Sequence, residues 1–311
     1  MKFKHKSYKA YLFLLLVLAI ELYIFINPQV SSYKKIDVHE HIFGMNQTIR
    51  LVNVMDRFGI EKVVMLDTPS ITFGANTTRF ENYDEHMEEL FRVKTVYPDR
   101  VLILYTFDPN DSSAVQKFES NLKRGADGLK LYNGVIPGLG PINSSTLYAA
   151  YQVAEKYKVP VLIHVEALDE EQKMEFEHAL TDFPNVKFIC AHFCGVESRL
   201  DVLESMLDKY SNLYTDDSAW QRVGHFAALE SEKFRQFYIK YQDRIMFGSD
   251  MVLENQDENW IVKWLKCDID LVEKRIFFCF KEPGLQLDGL HLPPEVLEKI
   301  YETNSQHIFS R

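Results

Sequence analysis

From Lys34 onward, short and nearly continuous apolar runs alternate with stretches whose apolar positions recur at helical spacing. The runs predict strands over Ile36–His41, Val63–Asp67, Val101–Phe107, Gly128–Tyr132, Val161–Val165, Phe188–His192, Leu213–Asp216 and Ile245–Ser249. Strands buried on both faces need such continuous apolar character. The helical spacing is clearest at Val196, Leu200, Leu203 and Leu207, which share one face with charges opposite. A last helix is predicted over Leu292–Arg311, started by Pro293 and Pro294 and carrying Val296, Leu297, Ile300 and Tyr301 on one side. Residues 268–291 read as an irregular insertion, placed to cover a barrel mouth. Strand–helix alternation repeated this often predicts an α/β fold with a parallel sheet, closed as a (β/α)8 TIM barrel. No Gly-x-Gly-x-x-Gly turn follows the first strand, which counts against a dinucleotide-binding sheet.

Residues 1–32 stand outside this pattern. Lys2, Lys4, Lys6 and Lys9 precede an apolar stretch from Ala10 to Ile26, interrupted by Glu21. At 17 residues it lies at the short end of what spans a bilayer, ~17–25 residues. It reads as a signal anchor in preference to a cleaved signal peptide, for which Ser31 and Ser32 offer only a weak cleavage site. Four lysines before the segment and only Lys34 and Lys35 just after it predict a cytoplasmic N-terminus. Residues 33–311 would then be an exported, membrane-anchored domain, or a secreted or periplasmic one if the segment is removed. No cysteine follows the apolar run, which argues against a lipoprotein.

The 311-residue length suits one barrel, typically ~250 residues, and 46% hydrophobic content supplies its core. A net charge of −10, with four of the lysines gathered at the N-terminus, leaves an acidic body unsuited to nucleic acid. Cys190, Cys194, Cys267 and Cys279 allow three disulfide pairings that sequence does not rank. An exported domain could pair some of them. The simplest reading of Cys190 and Cys194 is as buried small apolar residues.

Barrel chemistry sits at the C-terminal ends of the strands. The first strand ends Asp37-Val38-His39-Glu40-His41, and alternation puts His39 and His41 on one face. The fifth ends at His164 with Glu166 two residues on, the sixth at His192 and the eighth at Asp250. Any one of these could be an ordinary hydrogen-bonded strand end or helix cap. Together, neutral imidazoles and a carboxylate are the donor set that Zn2+ and similar ions prefer.

These pieces resemble the amidohydrolase superfamily, and within it the amidohydrolase-related family that includes aminocarboxymuconate-semialdehyde decarboxylase and several lactonases. The similar segments are Asp37–His41 (DVHEH), Gly128–Tyr132 (GLKLY), Pro160–His164 (PVLIH), Phe188–Gly195 (FICAHFCG), Leu213–Ala219 (LYTDDSA), Arg244–Asp250 (RIMFGSD) and the closing stretch Leu292–Phe309. The resemblance implies that His39, His41, His164 and Asp250 bind a metal, with Asp250 also taking a proton from the attacking water. His192 would bind a second metal or polarise the substrate. It implies one Zn2+, or two if Lys130 is carboxylated and bridges them; another divalent metal fits the same donors. The other reading of Lys130 is a charged lysine that binds an anionic substrate or pairs with an acid.

Asp67, Asp108, Tyr132, Glu166, Asp217, Trp220 and Arg222 are candidates for contact with a small-molecule substrate, with Tyr132, Glu166, Trp220 and Arg222 foremost. Arg222 could clamp a carboxylate, or simply be a solvated arginine. His86 and His178 read as surface residues within charged helical stretches. The leading expectation is hydrolysis of a carboxylic ester, lactone or amide. The alternatives are decarboxylation or hydration on the same residues, and an exported binding protein that has lost catalysis. The last predicts a missing ligand, whereas every expected ligand type is present.

Overall fold

The computed structural model describes residues 33–68, 80 and 82–310. The expected membrane segment, residues 1–32, lies outside the described residues. Among the described residues no helix is long and apolar enough to cross a membrane.

The centre is a curled, barrel-like parallel sheet of nine strands. In chain order these are β1 (Lys35–Ile42), β2 (Ile60–Leu66), β3 (Val101–Thr106), β4 (Gly128–Leu131), β5 (Val161–Ile163), β6 (Phe188–Cys190), β7 (Leu213–Asp216), β8 (Ile245–Met246) and β9 (Met251–Leu253). Each of β1 to β7 pairs with the next in parallel. The expected eighth strand is split. Its first piece, β8, pairs with β7, and its second, β9, pairs with β1. Between the pieces, Val38 donates to the Phe247 carbonyl (3.0 Å) and Asp250 to the His39 carbonyl (2.8 Å), so the two edges of the sheet meet.

Helices on the outside return the chain from one strand to the next: α1 (Met45–Met55), α2 (Tyr83–Val96), α3 (Ala114–Arg124), α4 (Ser145–Tyr157), α5 (Glu170–Asp182), α6 (Leu200–Lys209), α7 (His225–Leu229), α8 (Ser231–Lys240) and α9 (Glu258–Glu273). Their starts are written locally. Ser144, Asp169 and Asp257 cap α4, α5 and α9 by accepting from otherwise unpaired backbone N–H groups. The face expected from Leu200, Leu203 and Leu207 is the buried face of α6.

Two apolar layers result. Ile36, Val38, Val64, Leu66, Leu104, Leu162, Ile189 and Met246 fill the inside of the sheet, and the larger cluster lies between sheet and helices. The proline-started C-terminal stretch comprises α10 (Pro294–Glu298), a π-helical turn and α11 (Asn304–Phe309). Its Ile308 and Phe309 close the inner layer.

Three expectations need correction. Residues 268–273 are not irregular but complete α9. Beyond them the chain forms a small antiparallel hairpin, β10 (Ile276–Phe277) with β11 (Leu287–Asp288), tied to α9 by a Cys267–Cys279 disulfide. Cys190 and Cys194 are buried, as expected of small apolar residues, but they also form a disulfide. His86 is only partly exposed and bonds to Asp67 (3.2 Å), a contact made across the gap between α2 and the end of β2.

Candidate metal centre

The site begins with an irregularity in β1. Asp37 pairs with Val63 and Glu40 with Met65, so β1 uses one more residue than β2 over the same length. Such a bulge re-aims side chains beside it. Val38 still belongs to the inner apolar layer, yet His39 and His41 converge above it with ring centroids 5.1 Å apart. His192 stacks on His39 at 4.9 Å. Gly248 lies against them: a side chain there would stand 3.2 Å from the His39 Cβ and 3.0 Å from that of Ser218.

Each of these imidazoles has its Nδ1 engaged by a side-chain oxygen. His39 Nδ1 lies 2.9 Å from Asp216 Oδ2, His192 Nδ1 2.8 Å from Ser218 Oγ and His41 Nδ1 2.5 Å from Thr68 Oγ1. A carboxylate only accepts, so His39 donates from Nδ1. Ser218 gives its own proton to Asp216 (2.6 Å), so it accepts from His192. The network thus assigns Nδ1–H to His39 and His192 and leaves their Nε2 atoms with lone pairs, while Thr68 holds His41 through Nδ1.

Those three Nε2 atoms face one carboxylate. Asp250 Oδ1 is 2.9 Å from His41 Nε2 and 3.5 Å from His39 Nε2, and Asp250 Oδ2 is 4.0 Å from His192 Nε2. Burial lowers His39 to about 4 and His192 to about 3, so both rings are neutral at neutral pH. Burial alone would raise the Asp250 carboxyl, and it falls below the usual range only with positive charge beside it, from His192, His39 and His41 when they are protonated. Acceptors gathered 2.9, 3.5 and 4.0 Å from one carboxylate suit a cation. His39, His41 and Asp250 offer three donor atoms within 4.8 Å of one another. That set fits a divalent metal ion. His39, His192 and Asp216 form a second such group, but Asp216 meets His39 on its Nδ1 side, so its part is to orient the ring.

The family model for amidohydrolases matches residues 71–311, most of the chain. The chain belongs to the amidohydrolase family. No curated protein matches it. Among solved structures it is similar to a probable 2-pyrone-4,6-dicarboxylic acid hydrolase from Acinetobacter baumannii with citric acid bound. That likeness has 14% identity and a TM-score of 0.60, and covers 89% of this chain and 100% of that one. It is also similar to a 5-carboxyvanillate decarboxylase from Novosphingobium aromaticivorans, complexed with manganese and a nitrobenzoic acid. There the identity is 13%, the TM-score 0.56, and 90% of this chain and 97% of that one are covered. A third is 2,6-dihydroxybenzoate decarboxylase from Rhizobium, with 15% identity, a TM-score of 0.54 and coverage of 89% and 98%. At these identities the likeness shows the fold.

In this amidohydrolase the remaining candidates fall in three places. Lys130 is fully buried with Nζ 3.3 Å from His39 Nε2, and burial lowers its pKa to about 8. Tyr132 lies beside it, its ring 6.5 Å from that of His41, and donates to the Asp67 carbonyl (3.0 Å). His164 sits at the edge. Its ring is 5.1 Å from that of His192, but its Nε2 meets Glu166 Oε1 at 2.8 Å. Glu166 is held by both terminal nitrogens of Arg222, each at 2.6 Å, and Arg222 also reaches Glu197. The other candidates face elsewhere. Asp217 accepts from Gly248 N and Tyr238, Trp220 packs on Phe277 in the outer layer, and Asp108 accepts from Asn110 N within its own loop.

Sequence reasoning misses Asp216, Ser218 and Thr68. A signal for Asp216 exists: it closes an apolar strand, and period-two alternation puts Asp216 and Asp217 on opposite faces. Two further site residues sit on left-handed backbone, His192 (φ 52°) and Asp250 (φ 50°). Outside glycine such angles cost about 1 kcal/mol or more and gather where geometry serves a function.

Proposed function

We propose that this amidohydrolase, on a closed (β/α)8 barrel, hydrolyses a carboxylic ester, lactone or amide at a centre of one divalent cation, Zn2+ by its donor set. One observation carries the reading: the Nε2 atoms of three imidazoles, each ring held through Nδ1, converge on the Asp250 carboxyl. His39, His41 and Asp250 would hold the ion, with His164 joining them if Glu166 releases its Nε2. Bound there, such an ion supplies Lewis acidity and lowers the pKa of water at the site towards ~7.

The protein's own groups do the rest. Asp250, ionised and 21% exposed on its side chain, accepts the proton of the attacking water and returns it to the leaving group. His192 keeps its proton on Nδ1 and turns an Nε2 lone pair towards the same carboxylate, which suits ligation of a second cation and not the polarising of a substrate carbonyl. Arg222 offers a bidentate fork for a substrate carboxylate, which has to displace Glu166 from it.

A second reading is decarboxylation of an acid on the same residues. The Arg222 fork beside the site favours an acidic substrate, and two of the structurally similar proteins bear the names of decarboxylases. A panel of lactones, esters, amides and aromatic acids, with CO2 release followed, separates the two. Turnover of a lactone or ester without CO2 supports hydrolysis, and CO2 release from an acid alone overturns it. Two cations bridged by carboxylated Lys130 is the variant form of the site, supported by the lysine's burial and its contact with His39. An intact mass increased by one CO2 tests it.

We also propose that residues 1–32 anchor the chain and place the domain outside the cytoplasm. The lysines ahead of the apolar run support this, as does the fact that both cysteine pairs are disulfides, which persist in oxidising compartments. Digestion of the domain by protease added to intact cells tests the orientation.

A further inference from the structure

We propose that the Cys190–Cys194 disulfide is a positioning element of the active site: it closes the turn that carries His192 and holds that imidazole against Ser218 and Asp250. This rests on the reading of His192 as a site residue.

The turn is unusual in its backbone. His192, Phe193 and Cys194 have φ of 52°, 52° and 57°. L-residues visit this region singly, because the Cβ crowds the following carbonyl, and a run of three needs the surroundings to hold it. Cys190 ends β6 on ordinary extended angles, so the bridge spans the onset of the run and its last member, with Cα atoms 5.0 Å apart. Both cysteines are fully buried in the layer between sheet and helices, on the side away from the cation site.

Of the three residues inside the closed turn, Ala191 joins the inner apolar layer, and His192 and Phe193 point in opposite senses. His192 reaches Ser218 on the inside. Phe193 packs outward on α8, 5.2 Å from the Phe237 ring and 5.7 Å from that of Tyr238. A relaxation of the run towards ordinary angles swings one as it swings the other. Hydrogen bonds from His192 N to Asp216, from Ala167 N to the Cys194 carbonyl and from Val196 N to the Phe193 carbonyl (3.1 Å) fasten the backbone of the same turn. The covalent tie adds a link from the Cys194 side chain back to the end of β6. The Cys267–Cys279 bridge differs: it joins the hairpin to α9, with no site residue between its ends.

The site is therefore complete only in the oxidised chain. A dithiol reductant gives the bridge two electrons and two protons, closes to its own disulfide and leaves two thiols with the turn untied.

The test is NMR of the full chain labelled with 15N-histidine. In the wild type the His192 ring gives one sharp set of signals with the proton on Nδ1. In Cys190→Ala/Cys194→Ala those signals broaden or shift to a mixture of tautomers, while His39, held by Asp216, keeps its own. In Cys267→Ala/Cys279→Ala the His192 signals stay unchanged. If the first variant does not fold, wild-type protein treated with a dithiol, its thiols counted by mass spectrometry after alkylation, gives the same His192 shift. Unchanged His192 signals without the 190–194 bridge overturn the proposal, as does an equal change on removing the other bridge. Cation titration of the wild type judges the metal centre separately: no uptake refutes that reading and leaves the His192 comparison standing.

Discussion

The two ends of the curled sheet bury charge in opposite ways. At the N-terminal end Lys35 is fully enclosed among groups complementary to it. The Phe58 carbonyl lies at 3.1 Å, the Tyr33 carbonyl at 3.3 Å, Glu273 at 3.6 Å, and the face of Tyr301 at 4.3 Å from Nζ. Ile308 and Phe309 seal the apolar layer beside it. At the C-terminal end His39, His41, His192 and Asp250 turn ligand atoms towards one another, a set that suits a metal ion. One end pairs its charge within the chain; the other offers its groups to a ligand. That is the division expected of a barrel whose base confers stability and whose rim does chemistry.

Four outcomes sharpen or break this contrast. The largest is at the rim. Asp250→Asn should lower turnover by about 10^3-fold, the scale of a lost general base, while its thermal midpoint stays at or above that of the wild type. Near-normal rates would contradict the assignment. Next, at the base, Ile308→Ala should cost about 2–4 kcal/mol in denaturant unfolding and leave kcat unchanged. Ile308 is 1% exposed and far along the chain from every rim residue. Third, Asp216→Asn should weaken cation binding about 10–100-fold in competition with a chelator, because an amide at that position no longer fixes the tautomer of His39. Equal affinity would remove Asp216 from the account.

The smallest effect concerns Lys35. Burial lowers its pKa from 10.5 to about 8. Between those values the unfolded chain keeps a proton that the folded chain has released, so stability rises with pH. Melts of the wild type and Lys35→Met from pH 7.5 to 10.5 should show the wild type gaining on the variant as pH rises. A parallel pair of curves would contradict it.

How much the sequence makes legible depends on the physical origin of each pattern. Strand positions are readable because burial on both faces writes itself as apolar runs. His39, His41, His192 and Asp250 are readable because each closes such a run. The split between β8 and β9 is not, since it comes from the left-handed turn at Asp250, a residue that does not require one. The bulge in β1 leaves no residue signature, so alternation places the two histidines on one face without showing that Val38 shares it. Asp217 stands among the expected substrate contacts and Asp216 does not, because position alone ranks adjacent acids equally; facing separates them. The cysteine pairing needs the fold, as the sequence leaves three pairings open. Arg222 is half-buried because Glu166 lies 56 residues earlier and meets it only across the rim.

The central claim is that His39, His41 and Asp250 surround one divalent cation. X-ray data recorded on either side of the zinc absorption edge, from chain saturated with Zn2+, test it directly. The account predicts a single strong anomalous peak within bonding distance of the Nε2 atoms of His39 and His41 and of Asp250. No peak there, or a peak elsewhere on the molecule, would contradict it.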